Sequence, residues 1–284
     1  MKVTYYPGCS LQATARDYAE SIQGICASLD IQLQEISDWN CCGATAAHSV
    51  DHRASIELPG RTLNLAAKLP HKDLLVPCPM CFNRLKTADR QLRGDHPERY
   101  EIKIEGPLPK IWDLADFFAT EVMLDATAKL VKKPLEGLKV VCYYGCMANR
   151  PPDITGAENF ENPQALDRIV RNLGAEAVSW PFKTDCCGAS QVLSRPDIVS
   201  QLVGKLFDMA QRVGARAVVV SCQLCQANLD MYQAKIQADW GQQFSLPVYY
   251  FTELIGLASH IEGVQNWLSR HITDPFSLLQ ELEL

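Results

Sequence analysis

Lys2-Val3-Thr4-Tyr5-Tyr6-Pro7-Gly8-Cys9 and Lys139-Val140-Val141-Cys142-Tyr143-Tyr144-Gly145-Cys146 are one pattern written twice, an apolar strand that ends in Gly-Cys. The repetition continues downstream. Asn40-Cys41-Cys42-Gly43-Ala44 returns as Asp185-Cys186-Cys187-Gly188-Ala189. Leu74-Leu75-Val76-Pro77-Cys78-Pro79-Met80-Cys81 returns as Val218-Val219-Val220-Ser221-Cys222-Gln223-Leu224-Cys225. The matches keep their order at offsets of 137, 145 and 144 residues. That is the signature of an internal duplication, with its one insertion placed in the Pro-rich loop from Arg150 to Pro163.

The intervening segments repeat as well. After Cys9, Tyr18, Ile22, Ile25, Cys26 and Leu29 fall on one helical face, and a strand over 31–36 leads to the Cys-Cys pair. In the second copy Leu166, Ile169, Val170 and Leu173 make that face, Gly174 stops the helix, and 177–180 is the strand. A further helix is expected over 196–213 with Ile198, Leu202, Leu206, Met209 and Val213 apolar; Pro59 is expected to interrupt its counterpart. Each copy closes on a capped helix, with Asp113 and Thr252 read as the caps.

Strand–helix alternation of this kind predicts an α/β fold. Two similar tandem domains, 1–134 and 135–284, would each be a small, mostly parallel, Rossmann-like sheet flanked by helices. The boundary is set near Lys132-Lys133-Pro134. All three cysteine clusters of a copy follow strand ends, where open parallel sheets place their ligands. One sheet edge could therefore gather five cysteines.

Composition narrows the function. The 284 residues carry a net charge of −6, well mixed along the chain, so no electrostatic case exists for nucleic acid or an acidic membrane. No apolar run reaches the roughly 18–20 residues of a membrane span, and the start lacks the marks of a signal peptide. The expected location is cytoplasmic. Twelve cysteines in such a chain point to metal or redox chemistry rather than to disulfides.

The duplication selects ten of the twelve: Cys9, Cys41, Cys42, Cys78 and Cys81, then Cys146, Cys186, Cys187, Cys222 and Cys225. Cys26 lies on a buried helix face and reads as a small hydrophobe. Cys142 aligns with Tyr5, not Cys9, and reads as a strand side chain. A structural zinc ion takes four ligands. Five thiolates exceed that number, and adjacent cysteines diverge too far to chelate one tetrahedral ion. They can serve different irons of a multinuclear cluster, so iron–sulfur is preferred over zinc. A dithiol redox centre would use only the Cys-x-x-Cys pairs. No Gly-x-Gly-x-x-Gly or phosphate loop is present, so no flavin or nucleotide is expected in this chain. Electrons must then arrive from another protein. His48 and His52 are spaced for one helix face, read as solvated rather than ligating; His71, His96, His260 and His271 show no constellation.

The ten cysteines, in the settings Tyr5-Tyr6-Pro7-Gly8-Cys9-Ser10 and Asp38-Trp39-Asn40-Cys41-Cys42-Gly43-Ala44-Thr45, resemble the cysteine-rich CCG domain, and in particular the B-type subunit of heterodisulfide reductase. The resemblance covers nearly the whole chain. It implies that each set of five ligates an unusual noncubane [4Fe-4S] cluster. It further implies an oxidoreductase acting on sulfur groups, in which a disulfide is reduced or formed between the two clusters. Electrons would come from the small C-type iron–sulfur subunit, with the flavin-containing A-type subunit behind it. CCG domains also occur in dehydrogenase and quinone-linked complexes, so the alternative is a non-catalytic electron-transfer subunit.

Overall fold

A computed structural model describes residues 1–94 and 97–284; His96 lies outside the described residues. Each copy forms a four-stranded sheet, and every pairing is parallel. The first sheet holds β1 (Lys2–Tyr5), β2 (Gln32–Glu35), β3 (Asp73–Val76) and β4 (Lys110–Asp113), in the order β2-β1-β3-β4. The second holds β5 (Lys139–Tyr143), β6 (Glu176–Ala177), β7 (Ala217–Val220) and β8 (Val248–Tyr250), in the order β6-β5-β7-β8. The expected α/β class and duplication are observed.

Side chains alternate across β1, as strand geometry requires. Val3 and Tyr5 enter a large core that also contains the buried residues of the second copy, whereas Tyr6 faces a smaller core with Leu74 and Val76. The two copies therefore share one core across the inner face of the first sheet. The Arg16–Ser28 helix of the first copy packs on Phe251–Ala258 of the second. The equivalent helix of the second copy, Ala165–Asn172, packs in turn on Leu114–Phe118 and Glu121–Leu130. Asn172 fixes that second contact by donating to Leu124 O at 2.9 Å and Thr127 Oγ1 at 3.0 Å.

Three local expectations need correction. Pro59 does not interrupt its helix, which runs unbroken over His52–Ala66. The proline leaves the Ser55 carbonyl without an intrahelical donor. Packing against the Pro79–Leu92 helix holds the line: a Cβ at Gly60 would stand 2.6 Å from Leu92 Cδ1, so glycine lets the two helices come close without displacing that leucine. Thr252 is not a cap. The helix starts at Phe251, and Glu253 folds back to accept from the Tyr250 N–H at 2.9 Å. Thr252 is buried and its hydroxyl meets Ser21 Oγ at 2.7 Å across the junction. The expected strand over 177–180 shrinks to Glu176–Ala177 because the chain leaves the edge of the sheet there. Asp113 does cap its helix, accepting from Ala115 N at 3.0 Å.

Candidate metal centres

Each Gly-Cys pair follows the first strand of its sheet directly. Gly8 and Gly145 have φ of +73° and +65°. A Cβ on Gly8 would stand 2.9 Å from Cys81 Sγ, and one on Gly145 would stand 3.0 Å from Cys225 Sγ. Both the backbone conformation and the close sulfur demand glycine. The Cys-Cys pair is followed by another left-handed glycine. Gly43 N–H donates to Cys41 Sγ at 3.5 Å and Gly188 N–H to Cys186 Sγ at 3.3 Å. Cys78 and Cys222 are the N-caps of the Pro79–Leu92 and Gln223–Met231 helices, where the helix dipole favours a thiolate.

These turns bring all five selected cysteines of each copy together. In the first set Cys9 and Cys41 sulfurs lie 3.8 Å apart, and Cys42 and Cys81 lie 3.3 Å apart. In the second, Cys187 and Cys225 lie 3.9 Å apart, and Cys186 takes a hydrogen bond from Cys146. Two thiolates on one tetrahedral ion with bonds of ~2.3 Å stand ~3.8 Å apart, so these spacings suit shared metal ions. The adjacent cysteines diverge: Cys41 and Cys186 are exposed, while Cys42 and Cys187 are buried. Each set is thus two facing pairs plus one buried cysteine, Cys78 or Cys222.

Proton sharing accompanies the pairing. Cys42 is held well below the usual thiol range, chiefly by hydrogen bonds from Cys41 and Cys81, with the Ala44 N–H and the Arg84 charge adding to them. Cys186 is lowered to about 6, first by Cys146, and Cys187 to about 7, first by Cys225. Cys41, Cys81, Cys146 and Cys225 are pushed up in exchange, by hydrogen bonding to those neighbours and by burial. One proton is shared where two thiolates could stand, and a soft cation could take its place.

Buried amides with unpartnered atoms surround the sets. Neither the side-chain nitrogen nor the side-chain oxygen of Gln223 has a hydrogen-bond partner, and Asn228 Oδ1 and Asn149 Nδ2 are also unpartnered. A sulfur-rich multinuclear group suits the unpartnered Gln223 and Asn149 nitrogens better than a bare zinc ion does, because its sulfides accept from N–H donors beyond the ligand shell.

Two tyrosines pin the Cys-Cys loops. Tyr6 Oη donates to Asn40 O at 2.8 Å, and Tyr143 Oη, at the same repeat position, donates to Asp185 O at 2.6 Å. The sets also approach each other. Asn83, two residues past Cys81, donates to Met147 O and Arg150 O beside Cys146. Tyr18 Oη donates to Ser221 O, next to Cys222, at 3.0 Å.

The remaining candidates separate from these centres. Cys26 and Cys142 are 1% and 0% exposed and take no part in these sulfur pairs, with burial pushing Cys26 up to about 12. His48 and His52 do not share a helix, since Asp51 divides Ala47–Val50 from His52–Ala66, and both are exposed. His71 meets Gln34 Oε1 at 2.6 Å. His271 does have a constellation. It lies with Asp17 and Glu253 in a buried group at the junction, and its Nε2 is 2.9 Å from Glu253 Oε1. Tyr6, Tyr143, Arg84 and Gln223 were not singled out by the sequence, although the aligned repeat carries the tyrosines in register.

The fold and sites define a tandem thiol-rich α/β protein with one five-cysteine centre per sheet. Residues 3–86 and 140–230 match the cysteine-rich CCG domain. The chain belongs to that family, in the tandem arrangement of the B-type subunit of heterodisulfide reductase, and is an iron–sulfur oxidoreductase component. It is 31% identical over 280 residues to the 8-methylmenaquinol:fumarate reductase membrane anchor subunit of Wolinella succinogenes, covering 96% of this chain and 98% of that one. It is 24% identical over 269 residues to the B-type subunit of the ferredoxin:CoB-CoM heterodisulfide reductase of Methanosarcina mazei, covering 90% and 89%. A hypothetical protein from Helicobacter pylori shares the fold at a TM-score of 0.72 and 9% identity, over 96% of this chain and 52% of that chain. Among the described residues no helix is long and apolar enough to cross a membrane.

Proposed function

We propose that units 1–134 and 135–284 each hold one [4Fe-4S] cluster of noncubane type, and that a disulfide or dithiol reacts at the junction between them. The first cluster would use Cys9, Cys41, Cys42, Cys78 and Cys81, the second Cys146, Cys186, Cys187, Cys222 and Cys225. The observation that carries this reading is the approach of the two sets, with Asn83, two residues past Cys81, donating to Met147 O and Arg150 O beside Cys146. When bound, the clusters supply one-electron transfer and sites for sulfur. A disulfide takes two electrons, so a pair of one-electron centres around one junction suits it.

The protein's own part is to hold and expose. Cys9, Cys41 and Cys186 face solvent and leave each set open at its rim, while Cys42, Cys78, Cys81, Cys187, Cys222 and Cys225 form a buried floor. The Tyr6 and Tyr143 hydroxyls fix the rim loops. Electrons would come from a small C-type iron–sulfur partner, backed by an A-type flavin partner, in a cytoplasmic complex. Relatives named as the B-type component of heterodisulfide reductase support the sulfur chemistry.

A second reading is favoured by the 31% identity to a quinol:fumarate reductase component. There the two clusters would relay electrons from a quinol, and the chain would meet the membrane through its complex. Anaerobic purification with the native partners tests both. Iron and acid-labile sulfide should be found at about eight each per chain for two four-iron clusters, and disulfide turnover should be lost in either Cys42→Ser or Cys187→Ser. Stoichiometric zinc without sulfide would overturn the cluster assignment. Quinol oxidation without disulfide turnover would move the function to the second reading.

A further inference from the structure

Each copy offers the turn after its lone cysteine to the Cys-x-x-Cys helix of the other, and only one of these two meetings is filled. At the turn after Cys146 the fit is closed. Asn83 donates to Met147 O at 3.1 Å and to Arg150 O at 2.9 Å, Arg90 pairs with Asp153, and the Pro152–Thr155 helix packs on Pro79–Leu92. At the turn after Cys9 the repeat puts Ala13 where Arg150 stands and Ala227 where Asn83 stands. Ala227 has no side-chain donor to close the gap. A cavity of about 250 Å³ opens there between the copies, lined by both alanines.

One wall is the turn that begins at Cys9, and the other is the helix carrying Cys225, with Gln226 as its next residue. The exposed side chains of Met231 and Ile272 add apolar surface. Most of the polar lining is committed elsewhere. Asp230 accepts from the N–H groups of Ile272 and Thr273 at 2.7 and 2.8 Å. Asp17 accepts from Tyr18 N–H at 2.8 Å and belongs to the buried group of Glu253 and His271. Arg270 is held by Glu20 at 2.9 Å. Two nitrogen donors are left. Gln226 is 6% exposed, and its side-chain amide makes no hydrogen bond to any described residue. Arg16 stands 3.8 Å from Glu20, outside hydrogen-bond reach. A ligand seated here must bring acceptors. A guanidinium from one wall and an amide from the other suit a carboxylate.

We propose that this cavity seats the carboxylate end of the sulfur substrate. The disulfide or thiol is then a small organic acid, held by Arg16 and Gln226 with its aliphatic chain against Met231 and Ile272. This names the substrate class of the junction site and rests on the two-cluster reading above. The reaction is that of the same reading: two electrons from the iron–sulfur partner and two protons from water break the S–S bond and give two thiols. Arg16 and Gln226 set specificity and take no part in the electron transfer.

The anaerobic holoprotein with its partners tests this when given three symmetrical disulfides: dithiodipropionate, bis(hydroxyethyl) disulfide and cystamine, with carboxylate, hydroxyl and ammonium ends. KM should be lowest for dithiodipropionate, by about tenfold against the hydroxyl compound. Arg16→Gln and Gln226→Leu should each remove most of that preference, through KM rather than kcat. Ala227→Phe, which fills the cavity, should weaken mercaptopropionate binding by about tenfold in equilibrium dialysis, a readout without turnover. Its iron and sulfide should stay at the wild-type level. Equal KM for the three disulfides would overturn the inference and leave the two-cluster reading standing, as would mercaptopropionate binding unchanged in Ala227→Phe. No turnover of any disulfide by a protein with full iron and sulfide would overturn the disulfide reading instead, and the dialysis would still decide whether the cavity takes a carboxylate.

Discussion

The Tyr6 hydroxyl donates to the Asn40 carbonyl at 2.8 Å, and so ties the end of the first strand to the peptide that precedes Cys41. The bond fixes the loop carrying two of five thiols to the edge of the sheet. Tyr6 is itself fully buried and its pKa is driven far up, mainly by burial and then by the neighbouring thiols, so it stays a neutral donor. Tyr6→Phe keeps the ring and removes the bond. The expected cost is about 1–2 kcal/mol in stability, and iron should leave the first centre faster under a chelator. The second centre, pinned by Tyr143, should release iron at its wild-type rate. Equal acceleration at both centres would refute a local role.

The selection of ten cysteines from twelve has a direct check. Cys42→Ala should remove the first centre and leave about half of the iron and sulfide, if four-iron centres load independently. Cys26→Ala should retain the full complement, because Cys26 is buried with Ile22 and Ile25 on the core face of its helix. Its cost should be confined to lost packing, about 1 kcal/mol. Iron loss on Cys26→Ala would contradict the assignment.

Lys183 and Asp167 form a buried ion pair behind the second centre, 2.8 Å apart, with side chains 5% and 2% exposed. Tyr144 Oη completes the group on Asp167 Oδ2 at 2.7 Å. Removing Lys183 leaves the buried Asp167 with only the half-exposed Arg171, 3.7 Å away, as counter-charge. Lys183→Met should therefore destabilise the protein by about 3–5 kcal/mol, whereas replacing both charges with apolar groups should cost much less. Thermal unfolding of the single and double variants decides it.

The junction between the copies should weaken as pH rises. Burial alone would lower the His271 pKa, but the charge and hydrogen bond of Glu253, with Asp230 and Asp17, more than reverse it, and the net shift is upward. A raised folded pKa means that the stabilisation is fully present below the unfolded value of about 6.5 and is lost as pH climbs through the folded value. Asp17 adds to the trend. Its own pKa is raised, by burial and then by Glu253, so its ionisation at higher pH also opposes folding, with Arg270 offsetting part. His271→Gln should lower the melting temperature below about pH 6.5 and flatten its fall above that pH. An unchanged pH profile would remove His271 from this role.

Much of this architecture was legible because the chain states it twice. The Gly-Cys, Cys-Cys-Gly and Cys-x-x-Cys elements identify strand ends, and the strand ends identify the site. What escaped was set by packing across the junction. Pro59 reads as a helix breaker in isolation, but contact with the Leu92 helix overrides the missing bond. Thr252 reads as a cap, but Glu253 caps the helix and Thr252 spends its hydroxyl on Ser21 of the other copy. His271 shows nothing by spacing, because Asp17 lies in the other copy, far away along the chain.

The two glycines before the lone cysteines offer the sharpest comparison of the copies. Gly8 and Gly145 both adopt positive φ, at which an alanine is strained by about 1 kcal/mol or more. Each also lies under a sulfur: a Cβ would stand 2.9 Å from Cys81 Sγ at Gly8 and 3.0 Å from Cys225 Sγ at Gly145, so the sulfur must shift to admit a methyl group. Backbone strain alone would lower stability and leave the thiols in place. The clash does more, because it pushes apart the lone cysteine's turn and the Cys-x-x-Cys helix. Gly8→Ala should therefore empty the first centre of iron while the second stays loaded, and Gly145→Ala should do the reverse. Gly156→Ala is the control: its φ is +79°, but no atom lies within 4 Å of the added methyl, so it should cost stability without changing iron content. Full loading of both centres in Gly8→Ala would show that the turn relaxes, and that the glycine serves the backbone alone.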